Sequence, residues 1–460
     1  MVNRFERNVH HQVTKDTKFT KNGRNLVEAM ANAGRRLAVT GPVPSLVILV
    51  LLVSWWWTAP SAVAQDAPKP APPKPAVFAV RAGKVLTQGP AGVVDDGLVV
   101  VKDGKFAWVG PWDPARVPAG AAVEDLRPQW LVPGFLDLHS HIGGGDINDM
   151  TYPTNSDLRT LDSIVPDNER LRFARAGGVT TINFIPGSGT NSGGWGTLMK
   201  TFGTTLEEVL VRFPGALKIA QLGNPERGGD VGSSRMGMNH LIRAMLERGR
   251  AYAKAWEDFE AGRTKEKPAR DERLENFRGL FARKWPVIVH TAHVQGVQST
   301  MRILFDEMKL DTILTHGDFL GFKGAEPLGE RHMKVNIGPR TYWYDPETGA
   351  VAGQAAEWFR RGATDLSLNT DAPVVPQEEL PLQVAMAVRY GLPQDQALAC
   401  VTTIPARQIG MADRLGSIEA GKDADFSCFP GDPFDMRNGA TRVWVDGRVA
   451  YDPAKEGRRW

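Results

Sequence analysis

The run 132–141 reads Val-Pro-Gly-Phe-Leu-Asp-Leu-His-Ser-His, and three glycines, Gly143, Gly144 and Gly145, follow at once. The apolar stretch 131–138 has room for a short buried strand. Residues i and i+2 of a strand share a face, so His139 and His141 converge on one spot where that strand opens into a loop. Parallel β/α barrels place their chemistry at such strand ends. Three later segments repeat the grammar: Val-Ile-Val-His at 287–290, Asp-Thr-Ile-Leu-Thr-His-Gly-Asp at 311–318, and Leu-Ser-Leu-Asn-Thr-Asp-Ala-Pro at 366–373. Each ends an apolar run on a ligand-type side chain just before a turn. Zinc and its neighbours take neutral imidazole and carboxylate, and a catalytic site leaves one position open for water. Taken singly, each could be structural: a chance surface pair or a satisfied polar cluster for His139 and His141, a helix N-cap for Asp371. Five such residues in one order, His-x-His, His, His, Asp, form a specific constellation.

The pattern between these residues predicts an α/β fold. Strand-like segments at 131–138, 180–185, 197–202, 217–221, 287–290, 312–315, 334–337 and 366–369 alternate with amphipathic helices at 169–176, 299–308, 355–361 and 380–390, which predicts a (β/α)8 TIM-like barrel over 131–417. The charged stretch 238–284 is longer than one β/α unit needs and is expected to be a helical insertion packed outside, with 263–270 as its solvated hinge. Residues 77–130 and 418–460 are rich in short β runs with hairpin turns at Lys102-Asp-Gly and Val445-Asp-Gly. Neither piece is long enough for its own core, so the two are expected to pack as one small β-sandwich. The glycine-rich stretches around 187–189 and 193–196 lack the Lys-Ser/Thr of a phosphate cradle and are read as a flexible loop.

The amino terminus predicts an address. Arg35-Arg36 precedes the apolar run 45–57, and Ala62-Val-Ala64 supplies small residues before Gln65. Residues 1–64 are thus expected to be an export signal, cleaved after Ala64, with delivery to the periplasm or outside. The run is shorter than the roughly 20 apolar residues of a stable membrane span. Residues 65–76, dense in proline, form an extended linker. A net charge of +3 with acids and bases interleaved gives no nucleic-acid surface. Cys400 and Cys428 have no ligand-like spacing, which argues against a disulfide framework.

On the run 132–141, Ala176-Gly-Gly-Val-Thr-Thr181, His290, His316-Gly317, Asp371-Ala-Pro373 and Gly416-Ser-Ile-Glu-Ala-Gly-Lys-Asp-Ala-Asp425, the chain resembles the amidohydrolase superfamily, within it the secreted branch related to imidazolonepropionases and Xaa-Arg or Xaa-Pro dipeptidases. The resemblance implies a metal-bearing barrel with a β-sandwich from both chain ends, and hydrolysis of an amide, cyclic amide or small-peptide C–N bond. It also implies a role for Asp371 that touches the metal and carries a proton from the attacking water to the leaving nitrogen. His139, His141 and His290 are expected ligands, while His316 is either a further ligand or a donor to the developing oxyanion. The expected ion is zinc, one or two per chain. Lys218 stands where relatives carry a carboxylated bridging lysine; its alternative is a strand-start lysine facing water. Closer relatives have a glutamate in a Gly-Glu-Asn-Pro stretch, whereas this chain reads Leu222-Gly-Asn-Pro225.

His293, Arg340 and Tyr342 are candidate substrate contacts: an oxyanion donor, a carboxylate clamp and a pocket wall. Two other functions stay open: a metal-binding homologue with weakened catalysis acting as a partner or scaffold, and an isomerase or decarboxylase of the same superfamily. Nothing in the sequence sets the oligomeric state.

Overall fold

The computed structural model describes residues 77–145, 147–222 and 234–457. The expected export segment, the proline-rich linker and the 223–225 stretch lie outside the described residues.

Five strands open this part of the chain: β1 (Phe78–Leu86), β2 (Val93–Lys102), β3 (Lys105–Pro111), β4 (Ala122–Asp125) and β5 (Trp130–Pro133). The central part carries β6 (Phe135–Ser140), β7 (Val179–Phe184), β8 (Ser192–Trp195), β9 (Thr197–Lys200), β10 (Leu210–Arg212), β11 (Leu217–Ala220), β12 (Val287–Ala292), β13 (Thr312–Asp318), β14 (Lys334–Ile337), β15 (Tyr342–Tyr344), β16 (Val351–Gly353) and β17 (Leu366–Leu368). The strands β18 (Phe426–Phe429), β19 (Arg442–Val445) and β20 (Arg448–Tyr451) complete the set.

The apolar run expected as one strand is two. Pro133-Gly134 breaks it, sending β5 into the sheet of the chain ends and β6 into the central part. Glycine is required there, because a Cβ at Gly134 would lie 2.2 Å from Thr180 Oγ1. Strand β5 pairs with β1 on one edge and β18 on the other. Both chain ends therefore join in a single eight-stranded sheet, where a sandwich of two sheets was expected; one shared strand makes it continuous. It buries a cluster that includes Val80, Val99, Phe106, Phe426 and Trp444.

The central part is TIM-barrel-like. Strands β6–β7 and the succession β11–β12–β13–β14–β17 pair in parallel. The hydrogen bonds form two sheets, ordered β10-β9-β7-β6 and β17-β14-β13-β12-β11-β8. At one seam the end of β6 meets the residues just past β17, through a parallel bridge between Ser140 and Ala372 and a 2.8 Å bond from His141 N–H to Ala372 O. At the other, β8 and β9 are one stave bent at Gly196, whose N–H donates to Ala216 O over 2.8 Å.

That stave corrects the expectation of eight parallel strands, since β9 runs antiparallel to β7, and β8 antiparallel to β11. The chain leaves β7 at Phe184 and enters β8 at Ser192. A parallel return needs a crossover of roughly a dozen residues or more, and this connection is shorter. The second glycine-rich stretch, 193–196, is largely strand rather than loop, since Ser192–Trp195 forms β8. Gly194 has φ +108°, and a Cβ there would sit 2.4 Å from Leu158 O, so glycine serves close approach rather than mobility.

Between β11 and β12, helices Arg235–Glu260 and Glu275–Phe281 pack Ile242, Leu246, Phe277 and Leu280 against Leu217, Ile219, Val287 and Val289. Each such side chain contributes about 1.5–3 kcal/mol by burial, so this stripe holds the charged helices on the strands that bear Lys218 and His290. The helix expected at 299 starts earlier, at His293. Among the described residues no helix is long and apolar enough to cross a membrane.

Candidate metal centre

Strand ends bring the expected ligands together. His139 lies at the end of β6 and His141 just past it, Lys218 lies in β11, His290 in β12, His316 in β13, and Asp371 follows β17. His141 Nε2 and His139 Nε2 stand 3.1 and 3.4 Å from the same oxygen, Asp371 Oδ1. Two groups each hold their ligand atoms within 4.8 Å of one another: His139, His141 and Asp371, and His139, His290 and His316. The His316 ring centroid is 4.4 Å from those of both His139 and His290.

Backbone carbonyls behind two of the rings set the tautomers. His141 Nδ1 is 2.8 Å from Ile185 O, and His316 Nδ1 is 2.7 Å from Gly338 O. A carbonyl only accepts, so each Nδ1 carries the proton and a neutral ring turns its Nε2 lone pair inward. The His316 Nε2 is buried and has no hydrogen-bond partner among the described residues. The His141 lone pair faces a carboxylate oxygen, an acceptor against an acceptor, which only a proton or a cation between them can stabilise. Ligand atoms about 2.1 Å from a tetrahedral zinc lie roughly 3.4 Å apart, which matches the two imidazole–carboxylate separations. Imidazole and carboxylate donors at this spacing fit a divalent ion of zinc's kind.

Electrostatics agree. Burial, with Lys218 adding to it, drives the His139 pKa well below the imidazole value, and burial also lowers that of His316. Both rings are held neutral, as ligands must be. Burial would raise Asp371, but His316 and His141 when protonated, the hydrogen bond from His141 and the Lys218 ammonium outweigh it and hold the carboxyl below its ordinary value. Lys218 is fully buried, with Nζ 2.9 Å from His139 Nε2. This corrects the picture of a strand-start lysine in water. Burial lowers its pKa to about 7.

The candidate substrate contacts lie on neighbouring loops. His293 starts the helix after β12 and stacks on Phe319, with ring centroids 5.0 Å apart. Arg340, two residues past Gly338, places its guanidinium 4.8 Å from the Phe319 centroid. Tyr342 is exposed in β15 and packs on Tyr390. His293, His316 and Asp371 all have positive φ, at 56°, 69° and 50°. Such backbone strain, costing about 1–3 kcal/mol per residue, gathers at functional sites.

Three participants were missed from sequence. Asp137 is buried and accepts from His139 N–H, Thr370 N–H, the Thr370 hydroxyl and Gln377 Nε2. Its signal was present: an acid inside an apolar run, two residues before His139. Ser188 lies 3.0 Å from His290 Nδ1 through its Oγ, and Asp318 ends β13 with a carboxyl that burial raises to about 7; neither had a local signature.

An α/β chain that gathers four histidines and an aspartate at its strand ends, with a buried lysine beside them, has the fold and the candidate ligand set of a metal-binding β/α protein. Known proteins that resemble this chain narrow the class. Residues 383–451 match the profile of the amidohydrolase family. An amidohydrolase of Thermotoga maritima MSB8 superposes with a TM-score of 0.73 at 30% identity, over 82% of this chain and 100% of that one. The imidazolonepropionase of Brucella anthropi is 26% identical over 400 residues, 79% of this chain and 92% of that protein. Amidohydrolase tasK of Hapsidospora irregularis is 26% identical over 413 residues, where the chain spans 40% of that protein's length. The chain belongs to the amidohydrolase superfamily.

Proposed function

We propose that this protein is a metal-dependent hydrolase of a C–N bond in an amide, cyclic amide or small peptide, with Asp371 as the proton carrier. One observation carries the reading: two imidazole Nε2 atoms, of His139 and His141, close on one Asp371 oxygen. His139, His141 and Asp371 would hold one divalent ion, expected to be zinc, and His290 and His316 a second if Lys218 is carboxylated. A cation bound there supplies an acidified water and polarises the scissile carbonyl. The Asp371 carboxylate, ionised at neutral pH, takes the water's proton and delivers it to the leaving nitrogen. In its neutral form His316 gives its one N–H to Gly338, which favours ligation over oxyanion donation. The oxyanion role passes to His293 at the rim.

The eight staves, one of them antiparallel, are proposed to close into one β/α ring beside the single sheet of the chain ends. The Ser140–Ala372 seam and the bend at Gly196 support that closure. The basic pair, apolar run and small residues before Gln65 support export to the periplasm or beyond.

The test is metal content per chain of the mature protein, with an assay of acyl-amino acids, dipeptides and lactams on zinc- or manganese-loaded enzyme and its Asp371→Asn variant. Turnover by the wild type, reduced about 10²–10⁴-fold in the variant, supports the reading. Full metal occupancy without turnover of any amide would instead favour the scaffold role.

A further inference from the structure

We infer that Asp318, Arg340 and Phe319 form a recognition subsite for an α-carboxylate beside an amide N–H, so that the substrate class is an N-acyl amino acid, dipeptides included, with an apolar side chain on the amine half. This deepens the C–N hydrolase reading and rests on it.

Three observations carry it. The half-exposed guanidinium of Arg340 has neighbours on two sides. Phe319 lies under it, with His293 stacked on that ring at 19° and Trp343 edge-on at 76°; Asp318 Oδ2 stands 3.5 Å from its Nε. A guanidinium whose Nε side faces Asp318 keeps the edge between its two terminal nitrogens for a bidentate carboxylate.

Asp318 is itself buried, 7% exposed, yet its Oδ1 has no hydrogen-bond partner among the described residues. An unsatisfied buried acceptor is costly. An acceptor beside a cationic fork is the complement of a donor beside a carboxylate, and an N-acyl amino acid carries its N–H and carboxylate on one carbon.

The subsite is tied to the candidate ligands. Positive φ at His316, Gly317, Phe319 and Leu320 bends the chain sharply just after His316, and the Gly338 carbonyl that orients His316 is two residues from Arg340. Arg340 also lines a cavity of about 550 Å³ with Tyr342, Trp343, Tyr344, Leu382 and Met386. Those walls suit an apolar side chain.

The experiment compares acetate release from N-acetyl-phenylalanine and N-acetyl-phenylalaninamide by the metal-loaded full chain and its Arg340→Met, Arg340→Lys and Asp318→Asn variants. The wild type should prefer the acid by about 10- to 150-fold in kcat/KM, the range of one or two charge-assisted hydrogen bonds. In Arg340→Met that ratio should fall to near one, chiefly through KM, with Arg340→Lys intermediate and Asp318→Asn also lowered. Calorimetric binding of N-acetyl-phenylalanine to Asp371→Asn protein should weaken at least about 10-fold when Arg340→Met is added. Equal turnover of acid and amide by the wild type, or a preference that survives Arg340→Met, overturns the inference. Hydrolysis confined to lactams would overturn it while leaving the C–N reading intact; no hydrolysis of any amide would remove both.

Discussion

Asp137 Oδ2 accepts both the backbone N–H of Thr370, at 2.9 Å, and its hydroxyl, at 2.7 Å. The residue two places before His139 thereby holds the residue just before Asp371. Since Asp137 Oδ1 also accepts from His139 N–H at 2.9 Å, one buried carboxylate spaces the first and last expected ligands across the seam where β6 meets the end of the β17 segment.

Replacing Asp137 by Asn keeps the shape but puts an NH₂ where only acceptors are wanted. The broken network should cost about 1–3 kcal/mol of stability and lower metal affinity about 10- to 100-fold. Urea denaturation and chelator competition measure the two. Unchanged metal affinity would remove Asp137 from the positioning of the site.

Lys200 is fully buried and contacts Asp425, Asp423 and Asp446 at 2.5, 3.1 and 3.3 Å, tying β9 to the chain-end sheet. Lys200→Met should cost about 3–5 kcal/mol at pH 7, because buried carboxylates lose their cation. The pH dependence has a definite sign. Burial raises Asp425 to about 6 despite Lys200, so in the folded state its neutral form gains as pH falls through that value, and more so without the lysine. The deficit of the variant should shrink from pH 8 to pH 5. Asp423 is held down to about 2, its burial being outweighed by Lys200 and Arg414. Its contribution is present above the unfolded carboxylate value and fades only as pH falls toward 2. A deficit that grows on acidification would contradict this account.

Carboxylation of Lys218 needs the free amine. With a pKa near 7, that form increases as pH rises from 6 to 8. Bicarbonate should therefore raise metal stoichiometry at pH 8 more than at pH 6, and native mass should show bound CO₂ that Lys218→Met lacks. Identical masses with and without bicarbonate would leave a single-ion site.

Gly194→Ala forces a Cβ onto Leu158 O and a strained φ, and should destabilise by at least about 1–3 kcal/mol. The wild-type stretch around it should resist proteolysis. Rapid cleavage there would restore the flexible-loop picture.

The strand-end grammar made much of this legible. A run of apolar residues closed by histidine or aspartate is a local pattern, and period-2 geometry alone sends His139 and His141 to one face, so element order and the expected ligands could be read along the chain. Local pattern failed where the partner strand decided. Nothing near Thr197 states that its stave returns antiparallel; the short link from β7 does so only once β7 has a place. The Gly134 break looks like an ordinary turn until Thr180 packs against it. Lys218 looks like any strand-start lysine, and only burial beside His139 lowers its pKa. Asp137 and Thr370 are 233 residues apart. Pairing across such a separation is set by which strands become neighbours, a consequence of the whole chain's packing that no short window of sequence contains.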